Sequence, residues 1–154
     1  VAIVSLSSGT AGDKEFRHRY EQGKKRLEEV FGLNTVTMPN ALKGSEYLSK
    51  HPEARAKDFM DALKDKNIKG IICNIGGADT IRLLPYIDFD VIKNNPKVFM
   101  GYSDTTVNHF MMYKAGLVSY YGPAILSEFA ENGKMHRSNP PAVVLPARRP
   151  GYKL

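Results

Sequence analysis

The sequence predicts an α/β fold, a parallel sheet with helices on both faces. Three observations carry this expectation. Short apolar runs at residues 1–6, 70–75 and 97–101 have the length and composition of buried strands. Charged stretches with apolar residues at helical spacing separate them. Strand and helix patterns alternate from the first run to the last, the order of a parallel sheet with crossover helices.

The elements follow in turn. Residues 1–6 form a buried strand, and Ser7-Ser8-Gly9 turns the chain. Residues 13–30 place Phe16, Tyr20, Leu27 and Val30 on one helical face, and Gly32 sits where a helix-terminating glycine belongs. Residues 34–38, with Val36 between threonines, read as a second strand, ended by Pro39. Residues 40–50 read as a polar loop. Pro52 fits a first helical turn, and Ala56, Phe59, Met60 and Leu63 recur at i, i+3, i+4 and i+7. The apolar run 70–75 is broken by Gly76-Gly77. A short helix stopped by Pro85 and further helical turns at 88–94 lead to the strand 97–101. Ser103 then opens a helix through Lys114, closed by Gly116. A strand at 117–120 and helical turns at 123–130 complete the pattern, which contains no internal repeat.

Domain organisation follows from the same pass. Residues 1–131 are expected to form one α/β domain, and residues 132–154 an irregular, basic, proline-rich tail. Four of the nine prolines, Pro140, Pro141, Pro146 and Pro150, fall there. The net charge of +6 is concentrated in the same stretch, where Lys134, Arg137, Arg148, Arg149 and Lys153 face no acid. The basic face that a nucleic-acid-binding domain presents is therefore not expected. No apolar run approaches the ~20 residues that span a bilayer, which argues against a membrane partner. The single cysteine, Cys73, lies inside an apolar strand. It reads as a packed thiol in a chain suited to a reducing, cytoplasmic compartment.

Open parallel sheets bind ligands beyond the carboxyl ends of their strands. Two loops fall there: Gly76-Gly77-Ala78-Asp79-Thr80, and Gly101-Tyr102-Ser103-Asp104-Thr105-Thr106. Ser103 stands between a strand and a helix, the position of a nucleophile elbow, although Thr105 replaces the final glycine of the usual G-x-S-x-G pattern. Serine is equally a preferred helix N-cap. Both roles remain open from spacing alone. A helix start offers free N–H groups to an oxyanion, here the amide of Asp104, and Gly76-Gly77 can bring a second amide close without a side chain in the way. The carboxylate of Asp104 is expected to cap its own helix, Asp79 to cap the short helix after it, and Arg82 to form a surface ion pair. No general base is legible. His109 lies six residues beyond Ser103, about 9 Å along a helix and on another face. His18, His51 and His136 have no nucleophile nearby in sequence.

Longer stretches carry a resemblance. Ile75-Gly-Gly-Ala-Asp-Thr-Ile-Arg-Leu-Leu-Pro-Tyr-Ile-Asp88 resembles the glycine loop of the LD-carboxypeptidases, and more nearly that of the microcin C immunity peptidase branch. Asn95-Pro-Lys-Val-Phe-Met-Gly-Tyr-Ser-Asp-Thr-Thr106 resembles the nucleophile segment of the same family. Val4-Ser-Leu-Ser-Ser-Gly9 and Tyr121-Gly-Pro-Ala124 are also similar, so the likeness spans about residues 1–136.

The resemblance implies the flavodoxin-like or Rossmann-like N-terminal domain of a two-domain serine hydrolase. It implies a Ser–His–Glu triad without metal or cofactor, and homodimers of the full-length protein. Ser103 matches the nucleophile, the amides of Gly77 and Asp104 match the oxyanion donors, and Gly76 and Asp79 match substrate-binding positions. The histidine and glutamate are expected from a C-terminal domain beyond Leu154, so residues 1–154 are expected to carry half an active site. The implied substrates are murein LD-peptides or peptidyl-nucleotide conjugates. A non-catalytic anion-binding module and an inactive folding unit are the alternatives.

Overall fold

In the computed structural model, residues 1–133 and the backbone of 143–145 are described. Six strands form one sheet: β1 (Ala2–Val4), β2 (Val36–Thr37), β3 (Gly70–Cys73), β4 (Val98–Gly101), β5 (Ser119–Tyr121) and β6 (Val143–Leu145). Their order is β2-β1-β3-β4-β5-β6. The first five pair in parallel, and β6 pairs antiparallel with β5, Ser119 opposite Leu145. The order 2-1-3-4-5 selects the flavodoxin-like alternative of the two expected from sequence.

Alternation along the strands divides the core into two layers. Ala2 and Val4 of β1, Ile71 and Cys73 of β3 and Phe99 of β4 face one side. There they meet Ala56, Phe59 and Leu63 of α3 (Pro52–Lys64), Ile92 of α4 (Phe89–Asn94), and Met111 and Met112 of α5 (Thr106–Lys114). Ile3, Ile72 and Met100 face the other side, against Tyr20 and Leu27 of α1 (Arg17–Glu29) and against Ile125, Leu126 and Phe129. Burial on both faces explains why the strands read as continuous apolar runs. Among the described residues no helix is long and apolar enough to cross a membrane.

Four details depart from the sequence expectations. Residues 40–50 are not wholly loop, because α2 (Ser45–Lys50) forms there. Its cap is remote: Asp13 accepts from the Ser45 amide (2.8 Å) and hydroxyl (2.5 Å). Pro85 does not stop the short helix; it lies inside a 3-10 segment, Thr80–Tyr86. The 123–130 stretch is mostly turn, with one 3-10 turn at Glu128–Ala130. The tail is not irregular throughout, since Val143–Leu145 adds an edge strand to the sheet. The rest of the tail expectation, His136 included, lies outside the described residues.

Candidate active site

The carboxyl ends of β1, β3 and β4 lie side by side, with the topological switch point between β1 and β3. Three turns leave them: Ser7-Ser8 after β1, Gly76-Gly77 after β3 and Tyr102-Ser103 after β4. Together they line an open cavity of about 300 Å³, bounded by Ser8, Thr10, Ile75, Gly76, Gly77, Tyr102 and Ser103.

Ser103 has φ of 60°, the one positive value among the described non-glycine residues. A β-carbon in the left-handed region costs roughly 1–2 kcal/mol, so surrounding contacts must hold it there. They are visible. The Ser103 amide donates to the Tyr121 hydroxyl (3.0 Å), and its carbonyl accepts from the Thr106 hydroxyl (2.5 Å). Thr105, fully buried, donates its hydroxyl to the Tyr102 carbonyl (2.7 Å). Ser103 is therefore not an N-cap: Tyr102 occupies that position of the Ser103–Thr105 3-10 turn, and no side chain caps it. The Ser103 side chain is exposed, and its hydroxyl has no partner among the described residues.

Gly76 and Gly77 fit this geometry through what a side chain would strike. A β-carbon at 76 would lie 2.8 Å from Ser103 Cβ, 3.1 Å from Ser103 Oγ and 3.3 Å from the Asp104 amide nitrogen. A β-carbon at 77 would lie 2.2 Å from Ser7 Oγ and 2.8 Å from the Ser8 amide nitrogen. The Gly76 carbonyl accepts from the Ser8 amide (3.2 Å), tying the turn after β3 to the turn after β1.

The two acids of these loops do other work than sequence suggested. Asp104 does not cap its own helix. Its Oδ2 accepts from the Ser7 hydroxyl (2.5 Å), the Thr80 amide (2.8 Å) and the Thr80 hydroxyl (2.6 Å). Burial pushes this carboxyl up, but these donors outweigh it, so Asp104 titrates below its ordinary value. Asp79 stands before the 3-10 segment without capping it. Its carboxylate is gripped by Arg55 of α3 (2.7 and 3.1 Å) and by Arg82 (3.2 Å), the surface ion pair expected for Arg82. Asp79 is not among the residues that line this cavity. Arg55 is fully buried and also donates to the carbonyls of Leu6 and Ser7 (3.3 and 2.9 Å).

Among the described residues no histidine reaches the cavity. His109 is buried beneath the β4–α5 junction, with Nε2 against the Gly101 carbonyl and Nδ1 against the Ser119 hydroxyl, both at 2.9 Å. The carbonyl can only accept, so Nε2 carries the proton and Nδ1 accepts from Ser119 in the neutral ring. Burial lowers its pKa. His51 pairs with Glu53 (2.7 Å), and His18 is exposed on α1. Cys73 is a buried thiol pushed up to about 12 by desolvation, an inert packing group.

Sequence reasoning singled out Ser103, Asp104, Gly76 and Gly77, and the fold gathers them. It missed Ser7, Thr10, Thr80, Arg55 and Tyr121. The cluster of hydroxyls at Ser5, Ser7, Ser8 and Thr10 directly after the first strand was the available signal.

Fold and site define a class: a flavodoxin-like α/β domain presenting an exposed serine on a strained strand-to-helix elbow. The chain belongs to the LD-carboxypeptidase N-terminal domain family, whose profile matches residues 1–122. It is 34% identical over 131 residues to the microcin C7 self-immunity protein MccF of Escherichia coli, covering 84% of this chain and 38% of that protein. It is 36% identical over 104 residues to a "probable murein peptide carboxypeptidase" of Bacillus subtilis, covering 66% of this chain and 32% of that one. An MccF-like protein from Streptococcus pneumoniae, solved in complex with AMP, superposes with a TM-score of 0.79 at 44% identity, over 84% of this chain and 38% of its own. The chain thus spans about a third of the length of these relatives.

Proposed function

We propose that this chain is the nucleophile-bearing part of a serine hydrolase that cleaves amide bonds, with Ser103 as the nucleophile. One observation carries the reading: Ser103 is held at a positive φ with its hydroxyl unpartnered among the described residues, directly against a glycine loop that leaves room for a substrate. A serine that only capped a helix would need neither the strain nor the opening.

The oxyanion donors are the amides of Asp104 and Gly77. Asp104 lies in the first helical turn after Ser103, where N–H groups lack intrahelical acceptors. Support for Gly77 comes from the peptide between Gly76 and Gly77. Its carbonyl turns toward Ser8, on the β1 side. A trans peptide carries its N–H opposite its C=O. The Gly77 N–H therefore turns toward the β4 side, where Ser103 stands.

In this mechanism Ser103 Oγ attacks the amide carbonyl as its proton passes to a histidine. The two amides hold the tetrahedral oxyanion, the amine leaves with the proton, and water then releases the acyl group from the serine. The histidine and its glutamate partner are assigned to a following domain, in keeping with relatives about three times as long as the matched stretch. The substrate is a small peptide ending in a D-residue or a peptidyl-nucleotide conjugate. The MccF-like protein solved with AMP and MccF solved with aspartyl sulfamoyl adenosine favour the second class. The whole enzyme is proposed to be cytoplasmic and homodimeric.

The test is labelling with a serine-directed fluorophosphonate, carried out on the full-length protein that includes the proposed following domain and its histidine. Ser103 is expected to be the modified residue, and Ser103→Ala to lose labelling entirely. Amide hydrolysis by residues 1–154 alone is expected to stay within roughly 10³–10⁴-fold of the uncatalysed rate, since the base is assigned to the following domain. Labelling that survives Ser103→Ala sinks the nucleophile and leaves the anion-binding module.

A further inference from the structure

The carboxylate of Asp104 has no place in the reaction just described, which uses only its amide. Yet it is densely bonded. Oδ2 alone accepts three hydrogen bonds, from the Ser7 hydroxyl, the Thr80 amide and the Thr80 hydroxyl. Ser7 is 2% exposed and Thr80 0% exposed, so these are buried donors with little water to replace a lost acceptor.

The partners bracket one residue. The Ser7 side chain packs against Gly77, so closely that a β-carbon at 77 would fall 2.2 Å from its Oγ. Thr80 is three residues after Gly77 on the same loop. Asp104 is the residue directly after Ser103. The carboxylate thus clamps the loop carrying the Gly77 amide, on both flanks, to the residue carrying the other amide.

A negative charge this near an oxyanion would oppose catalysis if it faced it. Here the charge is given to three donors, and neither Ser7 nor Thr80, which supply them, lines the cavity onto which the Ser103 hydroxyl opens. Its function is then geometric rather than electrostatic.

We infer that the Asp104 carboxylate is a positioning residue that sets the spacing between the Asp104 and Gly77 amides, tying three loops into one oxyanion pocket through Ser7 and Thr80. This rests on the assignment of Ser103 as nucleophile. Because the three bonds end on one oxygen, an asparagine that turns its carbonyl to this side keeps a neutral acceptor for these donors.

The experiment measures fluorophosphonate labelling of the same full-length protein as a function of probe concentration, separating the limiting rate from the half-saturating concentration. Displacing a reacting group by about 1 Å costs on the order of 10²-fold. Asp104→Ala is expected to lower the limiting rate about that much, with the half-saturating concentration unchanged, while Asp104→Asn stays within about 5-fold of the parent rate by keeping the acceptor. Circular dichroism checks folding. If Asp104→Ala does not fold, Thr80→Val, which removes one donor and retains the amide, is expected to slow labelling by roughly 10- to 100-fold, the worth of one hydrogen bond to a charged group. Folded Asp104→Ala labelling at the parent rate overturns the clamp. So does Asp104→Asn as slow as Asp104→Ala, which would make the charge the active feature. A Thr80→Val variant at the parent rate does the same where Ala cannot be read. A parent chain in which Ser103 takes no label overturns the nucleophile assignment first, and the clamp with it.

Discussion

Ser7 and Ser103 both follow strands of the same sheet at the same edge, yet only one is chemically free. Ser7 is buried, its hydroxyl given to Asp104 and its carbonyl to Arg55. Ser103 is exposed, its backbone held at both ends by Tyr121 and Thr106, its hydroxyl held by nothing among the described residues. The difference lies in the backbone. At φ of 60° the chain turns so sharply that the side chain leaves the layer of loop contacts that captures Ser7. Availability of a nucleophile is here a matter of dihedral angle more than of composition.

The widest break in this comparison is Arg55→Ala, which strikes the Ser7 side. It removes a fully buried guanidinium, leaves the Asp79 carboxylate with Arg82 alone and leaves the Leu6 and Ser7 carbonyls without this donor. Stability is expected to fall by about 3 kcal/mol, the lower end for a broken buried pair because Asp79 reaches solvent. Urea unfolding reads it, and a change under 1 kcal/mol would show that the Ser7 turn is not anchored this way. Gly76→Ala strikes the Ser103 side. Its methyl group would meet Ser103 Cβ at 2.8 Å, so the elbow must shift. Labelling of Ser103 is expected to slow by about 10²-fold, with global stability lowered far less than in the Arg55 variant. The finest test separates the strain from the hydroxyl. Ser103→Gly and Ser103→Ala both lose labelling, but the glycine variant is expected to be about 1 kcal/mol more stable than the alanine, because only glycine occupies φ of 60° without penalty. Equal thermal midpoints for the two would mean that the elbow stores no strain.

Much of the sheet was legible in sequence because the strands are buried on both faces and read as unbroken apolar runs. Ile71, Ile72 and Cys73 show this directly, pointing alternately into the two layers. The Ser103 elbow and the glycine loop were legible from their position after strands. The partners of the loops were not. Asp104 meets Ser7 across 97 residues and Thr80 across 24, and no local pattern encodes such contacts. Helix α2 escaped for the same reason, because its cap, Asp13, lies 32 residues away and Gly44 offers no side chain. The strand Val143–Leu145 was hidden among prolines, and only pairing with β5 gives it an identity.

The contact of Gly76 with Ser103 and of Gly77 with Ser7 also bears on how such a domain could lose its activity in descent. Apart from one hydroxyl, the proposed reactive surface consists of main-chain groups, which no codon change short of proline can delete. Side chains outside the Ser7–Asp104–Thr80 clamp can therefore drift widely while the donors persist. The vulnerable substitutions are gains of matter. A single methyl group at position 76 would sit 3.1 Å from Ser103 Oγ and occupy the approach to it. A lineage that retires the site while keeping the fold is expected to show its decay there, as a glycine replaced by a larger residue, as readily as at the serine itself.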